Sequence, residues 1–178
     1  MDQHPRLKTE RLFLRKLALR DVEEIFTSYA QDPEVSRYLP WGPHQNKTET
    51  RASVKRLLTN DHTGLSLNWI IEKSENADLA GMIALNFNGL KSRLGFVLAR
   101  HHWGQGVATE STRSVIDWTL RQPGYEQIEA FCDEENSASA RVLEKSGMKR
   151  ESLLRSFIVH PNVSKNPRNA GILYSENL

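Results

Sequence analysis

The chain has 178 residues, 38% of them hydrophobic, and a net charge of +2, which suits one folded domain spanning 1–178 and excludes a disordered chain. There is no basic run, so a dedicated nucleic-acid binder is excluded, and no apolar run reaches the roughly 18 residues that a membrane helix needs. The opening Met1-Asp2-Gln3-His4-Pro5 does not begin a signal peptide, so a cytoplasmic protein with no membrane partner is expected. The single cysteine, Cys132, excludes an intramolecular disulfide and a cysteine-rich zinc site, and it reads as a packed strand residue.

Leu12 and Leu14 between charged neighbours predict a first strand within 9–17. Asp21-Val22-Glu23-Glu24 resembles a helix start, and Val22, Ile25, Phe26 and Tyr29 form an apolar stripe that Asp32-Pro33 ends. Leu39-Pro40-Trp41-Gly42-Pro43 reads as a loop, and a helix over 48–60 turns Val54, Leu57 and Leu58 inward. Alternating apolar residues over 66–88, broken by Ser74-Glu75-Asn76-Ala77-Asp78, predict a hairpin. Pro123-Gly124 breaks the chain before a strand marked by Ile128, Ala130 and Cys132. A helix over 137–146 stops at Gly147, and two further strands are predicted at 151–159 and 170–176. The order predicts an α/β domain with a mixed sheet.

The stretch from Arg93 to Glu110 organises the rest. Leu94, Phe96 and Leu98 alternate with Gly95, Val97 and Ala99, so both faces are apolar, as a central buried strand requires. Gly104 and Gly106 then precede a helix over 104–121 that places Val107, Ser111, Val115 and Trp118 on one side. Such a turn leaves backbone N–H groups aimed outward at a helix N-terminus, where anions are favoured. Taken alone, it is equally an ordinary tight strand-to-helix loop. Thr109 stands where a dinucleotide fingerprint would have its third glycine, and no Gly-Lys-Ser/Thr follows. A second strand-to-helix turn begins at Asn136, suited as an N-cap.

Together the two turns resemble the GNAT superfamily of acyl-CoA-dependent N-acetyltransferases, nearest the branch that includes ribosomal-protein N-terminal alanine acetyltransferases. The likeness rests on Trp103-Gly104-Gln105-Gly106-Val107-Ala108, on Asn136-x-x-Ser139-x-Arg141-Val142-Leu143-Glu144-Lys145 with Gly147, and on Thr9-Glu10-Arg11-Leu12. It implies a mostly antiparallel sheet flanked by helices, with a central splay. It further implies that Phe96, Val97 and Leu98 offer backbone groups to the pantetheine arm of acetyl-CoA. The Leu98 N–H then donates to the thioester oxygen. The loop from Trp103 through Gly104, Gln105, Gly106, Val107 and Ala108 to Thr109 receives the pyrophosphate, with glycines because a Cβ would block the approach. Asn136 holds the arm, and Arg141 lies near the nucleotide.

The resemblance also carries departures. The superfamily's usual tyrosine acid falls at Leu143, so Ser139 is the replacement donor to the departing thiolate. Where some relatives carry a glutamate base, Ile158 stands, and His160 is the nearest titratable group. Tyr38 and Trp41, with the 160–168 loop, are the acceptor-pocket candidates. The expected partners are acetyl-CoA and an amine acceptor, with no metal, in a monomer or homodimer. A protein N-terminus is the first choice of acceptor, a small amine such as a polyamine, amino acid or antibiotic the second. A non-catalytic CoA-binding module is the reading outside enzymology.

Overall fold

The computed structural model describes residues 4–125, 127–155, 157, 159–166 and 170–177, the last of these by backbone alone. Eight strands form one sheet: β1 (Leu7–Lys8), β2 (Leu12–Lys16), β3 (Ser66–Lys73), β4 (Leu79–Asn88), β5 (Lys91–Leu98), β6 (Gln127–Asp133), β7 (Lys149–Leu153) and β8 (Ala170–Asn177). Their spatial order is β1-β2-β3-β4-β5-β6-β8-β7. Every pairing is antiparallel except β5 with β6. The helices are α1 (Val22–Ile25), α2 (Pro33–Ser36), α3 (Lys47–His62), α4 (Val107–Thr119) and α5 (Ser137–Lys145). No helix among the described residues is long and apolar enough to cross a membrane.

Alternation along the strands sends alternate residues to two apolar layers. Leu94 and Leu98 of β5 join Leu12, Trp69, Ile83 and Leu85 beneath α4 and α5. Val97 and Ala99 join Leu17, Ile70 and Leu79 on the opposite face, under Ile25, Tyr29 and Val54. A central strand apolar on both sides is therefore what the structure contains. Each large aliphatic side chain removed from water here contributes about 1.5–3 kcal/mol.

Local chemistry corrects several sequence expectations. Asp21 does not cap α1 with its side chain. Its carboxylate instead receives both Nη groups of Arg15, at 2.9 Å each, and the Ala18 N–H at 2.8 Å. The apolar stripe of α1 continues into a wider π turn over Phe26–Ala30. Asp32-Pro33 does more than end that segment: the Asp32 carboxylate accepts from Glu34 N–H at 2.9 Å and starts α2, with proline in the first turn. Helix α3 begins one residue before 48 and runs two past 60, because Asn46 caps it through Thr48 and Glu49 N–H. The predicted strand 151–159 is β7, shifted to Lys149–Leu153. All five of its residues are exposed, so their pattern carries no burial signal.

The pairing of β5 opens a gap in the sheet. Its parallel register with β6 covers only Lys91, Ser92 and Arg93, opposite Gln127, Ile128 and Glu129. Beyond that point β5 continues to Leu98 and β6 to Asp133 without pairing to each other. This is the splay that the resemblance implies. On the other side β5 is held tightly by β4. A Cβ on Gly81 would stand 2.1 Å from the Val97 carbonyl oxygen, so only glycine permits this approach.

Candidate active site

A cavity of about 810 Å³ opens at the splay and reaches from the β5–α4 turn to the loops around α2. Among the site residues expected from sequence, all but Gln105 line it.

The turn is built by hydrogen bonds that leave its amides free. Gly104 and Gly106 have φ of +73° and +79°, a conformation that L side chains rarely adopt. A Cβ on Gly104 would meet no protein atom, so within the protein this glycine is required by backbone angle and not by crowding. Gly106 is the N-cap of α4 and supplies no side chain to it, so the N–H groups of Gly106, Val107 and Ala108 have no intrahelical acceptor. Beside them, Trp103 and Thr109 line the cavity wall. The Trp103 indole donates to the Leu98 carbonyl at 3.1 Å. Gln105 faces away: its side chain donates to the His101 carbonyl at 2.7 Å and closes the turn.

Sequence reasoning gave Thr9 and Arg11 no job beyond likeness, and the structure supplies one. Arg11 donates through Nη1 to the Gln105 carbonyl at 3.1 Å and through Nε to Glu110 Oε2 at 2.7 Å. Thr9 Oγ donates to the other Glu110 oxygen at 2.6 Å. Burial acts to raise the Glu110 carboxyl, but hydrogen bonds from Thr9 and Arg11 outweigh it and hold the group below the usual carboxylate range. The strap ties the turn and the first turn of α4 to the N-terminal strands.

Strand parity decides which backbone groups face the gap. Ala99 N–H donates to Ala80 at 2.9 Å, so the polar groups of residues 99, 97 and 95 point to β4. Those of Leu98, Phe96 and Leu94 point to the open side. Leu98 and Phe96 thus present their N–H groups to the cavity. Val97 does not: its amide is committed to Met82, and it contributes only a side chain to the wall.

Across the gap, Asn136 Oδ1 accepts from the Ser139 N–H at 3.1 Å, which caps α5. The cap uses the backbone of Ser139 and leaves its hydroxyl at the cavity wall. Arg141 and Lys145 follow along the same wall, while Leu143 is buried beneath it. Cys132 also lines the cavity, but burial, with Asp133 beside it, pushes its thiol up to about 11, so it stays protonated.

The other end of the cavity is where Tyr38, Trp41 and His160 meet. His160 is 1% exposed, with Nε2 3.4 Å from Asp133 Oδ2 and its ring edge-on to Tyr38 at 5.9 Å. It is a packed residue and not a solvated loop histidine. Ile158 lies outside the described residues. Asn162, missed from sequence, donates to the carbonyls of Ser36 at 2.6 Å and Trp41 at 2.8 Å. It joins the 160–166 loop to the 36–41 loop, and a lone loop asparagine carries no signal of a partner more than a hundred positions away.

A family model described as "Acetyltransferase (GNAT) domain" matches residues 11–149. The chain belongs to the GNAT acetyltransferase family. It is therefore an acetyl-CoA-dependent N-acetyltransferase. It is 30% identical over 155 residues to the uncharacterized N-acetyltransferase p20 of Bacillus licheniformis, covering 85% of this chain and 86% of that protein. The crystal structure of a GNAT-family acetyltransferase from Bacillus anthracis superposes with a TM-score of 0.83 at 26% identity, covering 97% and 98% of the two chains. RimL, titled a ribosomal L7/L12 alpha-N-protein acetyltransferase and solved with coenzyme A, shares the fold at TM-score 0.87 and 16% identity, covering 98% of each chain.

Proposed function

We propose that this acetyltransferase acts on a protein N-terminal α-amine by direct attack within a ternary complex. The observation that carries the reading is one cavity with free amides of the β5–α4 turn at one end and Tyr38, Trp41 and His160 at the other. In this reading the amides from Gly104 to Ala108 hold the diphosphate of acetyl-CoA, Phe96 and Asn136 hold its arm, and Arg141 lies near its nucleotide. The Leu98 N–H donates to the thioester oxygen and bonds it more strongly as negative charge gathers there. His160, backed by Asp133, takes the proton of the attacking ammonium group directly or through water. The amine nitrogen then bonds to the acetyl carbon and the carbon–sulfur bond breaks; the Ser139 hydroxyl gives its proton to the departing thiolate and regains one from the nitrogen, which sheds its second proton as the amide forms.

Magnitudes favour an α-amine. Its pKa is about 7.8 against about 10.4 for lysine, so deprotonating a lysine at neutral pH costs about 3.5 kcal/mol more. A histidine base suits the lesser demand. RimL, by its title, modifies an α-amine, and shares the fold. The test is an acceptor panel followed by thiol release: peptides with free N-termini, N-blocked lysine peptides, polyamines, amino acids and an aminoglycoside. Turnover with free N-terminal peptides is expected. Turnover with polyamines alone defeats the reading, and acetyl-CoA binding without turnover on any amine replaces it with a binding module.

A further inference from the structure

The cavity has an unbalanced charge. Of the fixed charges on the cavity wall, Glu34 alone is negative; Arg37 beside Tyr38, Arg56 on α3 and Arg93 on β5 are positive, as are Arg141 and Lys145 on α5. None of Arg37, Arg56 and Arg93 has a carboxylate partner among the described residues. Arg37 instead lies 5.3 Å above the Tyr38 ring, and Arg93 lies 4.6 Å above that of Phe131. The acids nearby are engaged elsewhere: Asp32 faces Arg100 at 3.6 Å, Glu129 faces Lys91 at 3.0 Å, and Asp133 faces His160. Burial lowers His44 and His102, on the same wall, toward the neutral form, so they add no positive charge to that of the arginines.

A guanidinium over an aromatic face keeps its N–H fork available, and that fork matches a carboxylate in two parallel bonds. Several like charges along a cleft with apolar walls also focus the field inside it, concentrating anions and repelling cations. A polyamine would bring several positive charges to this wall. An amine whose neighbouring groups are acidic would bring the missing counter-charges.

We infer that the acceptor of this enzyme is an N-terminus followed by acidic residues, whose carboxylates are received by Arg37, Arg56 and Arg93. The inference rests on the α-amine reading above and narrows it to one class of peptide. Two readouts separate them. Acetyl transfer is measured on peptides sharing one first residue, followed by three aspartates, three serines or three lysines, beside spermidine and free glutamate. Binding of the matching N-acetylated peptides is measured by calorimetry, which needs no turnover.

At low salt, the acidic peptide is expected to exceed the serine peptide about tenfold in kcat/KM, and the lysine peptide by about a hundredfold, narrowing as salt rises. The double variant R56E/R93E, altered only at exposed side chains, is expected to reverse the order. Equal use of the three peptides overturns the inference while leaving the α-amine reading intact, as does a preference that survives R56E/R93E. Transfer to glutamate without transfer to any peptide, with the acidic product peptide still bound best, overturns the protein N-terminus as the acceptor and keeps the anionic subsite. Transfer to spermidine alone overturns both.

Discussion

Arg11 and Glu110, ninety-nine positions apart, meet in an ion pair at 2.5 Å, and the same guanidinium holds the Gln105 carbonyl. The pair sets the shape of the cofactor turn from outside it. R11A is expected to raise KM for acetyl-CoA roughly three- to tenfold while leaving kcat at saturation close to wild type, since Arg11 is half exposed and touches no reacting atom. Steady-state kinetics at fixed acceptor decides this. An unchanged KM would show that the turn keeps its shape without the strap.

Gly106→Ala is expected to lower acetyl-CoA affinity by about tenfold or more. The substitution forces a side chain to φ +79° and sets its Cβ 3.3 Å from Arg11 Nη2. Gly64→Ala is the control, with φ +73° and open space around it but no place in the site. Calorimetric titration of both variants separates loss of the turn from general backbone strain. Equal affinities in the two would remove the turn from cofactor binding.

Gly81→Ala tests the β4–β5 contact. A Cβ at 2.1 Å from a carbonyl oxygen cannot be accommodated without parting the strands. A loss of about 3 kcal/mol is expected, which for a protein of this size lowers Tm by roughly 6–12 °C. Thermal unfolding followed by circular dichroism reads the shift.

Ser139→Ala separates catalysis from capping. Its backbone N–H, which survives the change, makes the cap, so the fold and KM for acetyl-CoA are expected to hold. A general acid is worth about 10²–10⁴ in rate, and kcat is expected to fall towards the lower end, because water can replace a hydroxyl donor. Unchanged turnover would take Ser139 out of the mechanism.

Stability should decline on the acid side of neutrality. Burial holds His44 and His102 below the usual imidazole range, and His101 lowers His102 further. The unfolded chain takes up protons near pH 6.5, whereas these two rings do so only at lower pH. Their contribution is complete above about pH 6.5 and is lost as pH falls through their folded values. Glu110, held low in the folded state, adds a second loss on the acid side of about pH 4.3. Tm from pH 8 to 5 is expected to drop, with a shallower slope in H44Q. A flat profile for the wild type would contradict neutral burial of these rings.

What could be read from the sequence was whatever has a local signature. The glycines of the β5–α4 turn, the Asn136 cap and the apolar faces of β5 are each set by neighbours a few positions away. Gly81 was only one more residue of an alternating strand, because its constraint comes from the Val97 carbonyl on the next strand. The resemblance implies backbone groups of Phe96, Val97 and Leu98 alike for the pantetheine arm; hydrogen-bond parity, fixed by the bond from Ala99 to Ala80, turns those of Val97 to the other side. His160 read as a loop residue before Pro161, since Asp133 and Tyr38 reach it only through the fold.

Three residue pairs stitch β5 to β6, and on the helical side Arg113 donates to the Lys145 carbonyl to bracket α4 against α5. The molecule is thus two banks sharing one core, joined in the sheet by a short seam and outside it by this bracket and by the Asn162 bonds to the 36–41 loop. A cofactor lying across the opening would act as a cross-tie, so its stabilisation should be spent mostly on the C-terminal bank. Amide exchange in β6 and α5 would then slow more than in β2 and β3, where antiparallel partners already hold both edges.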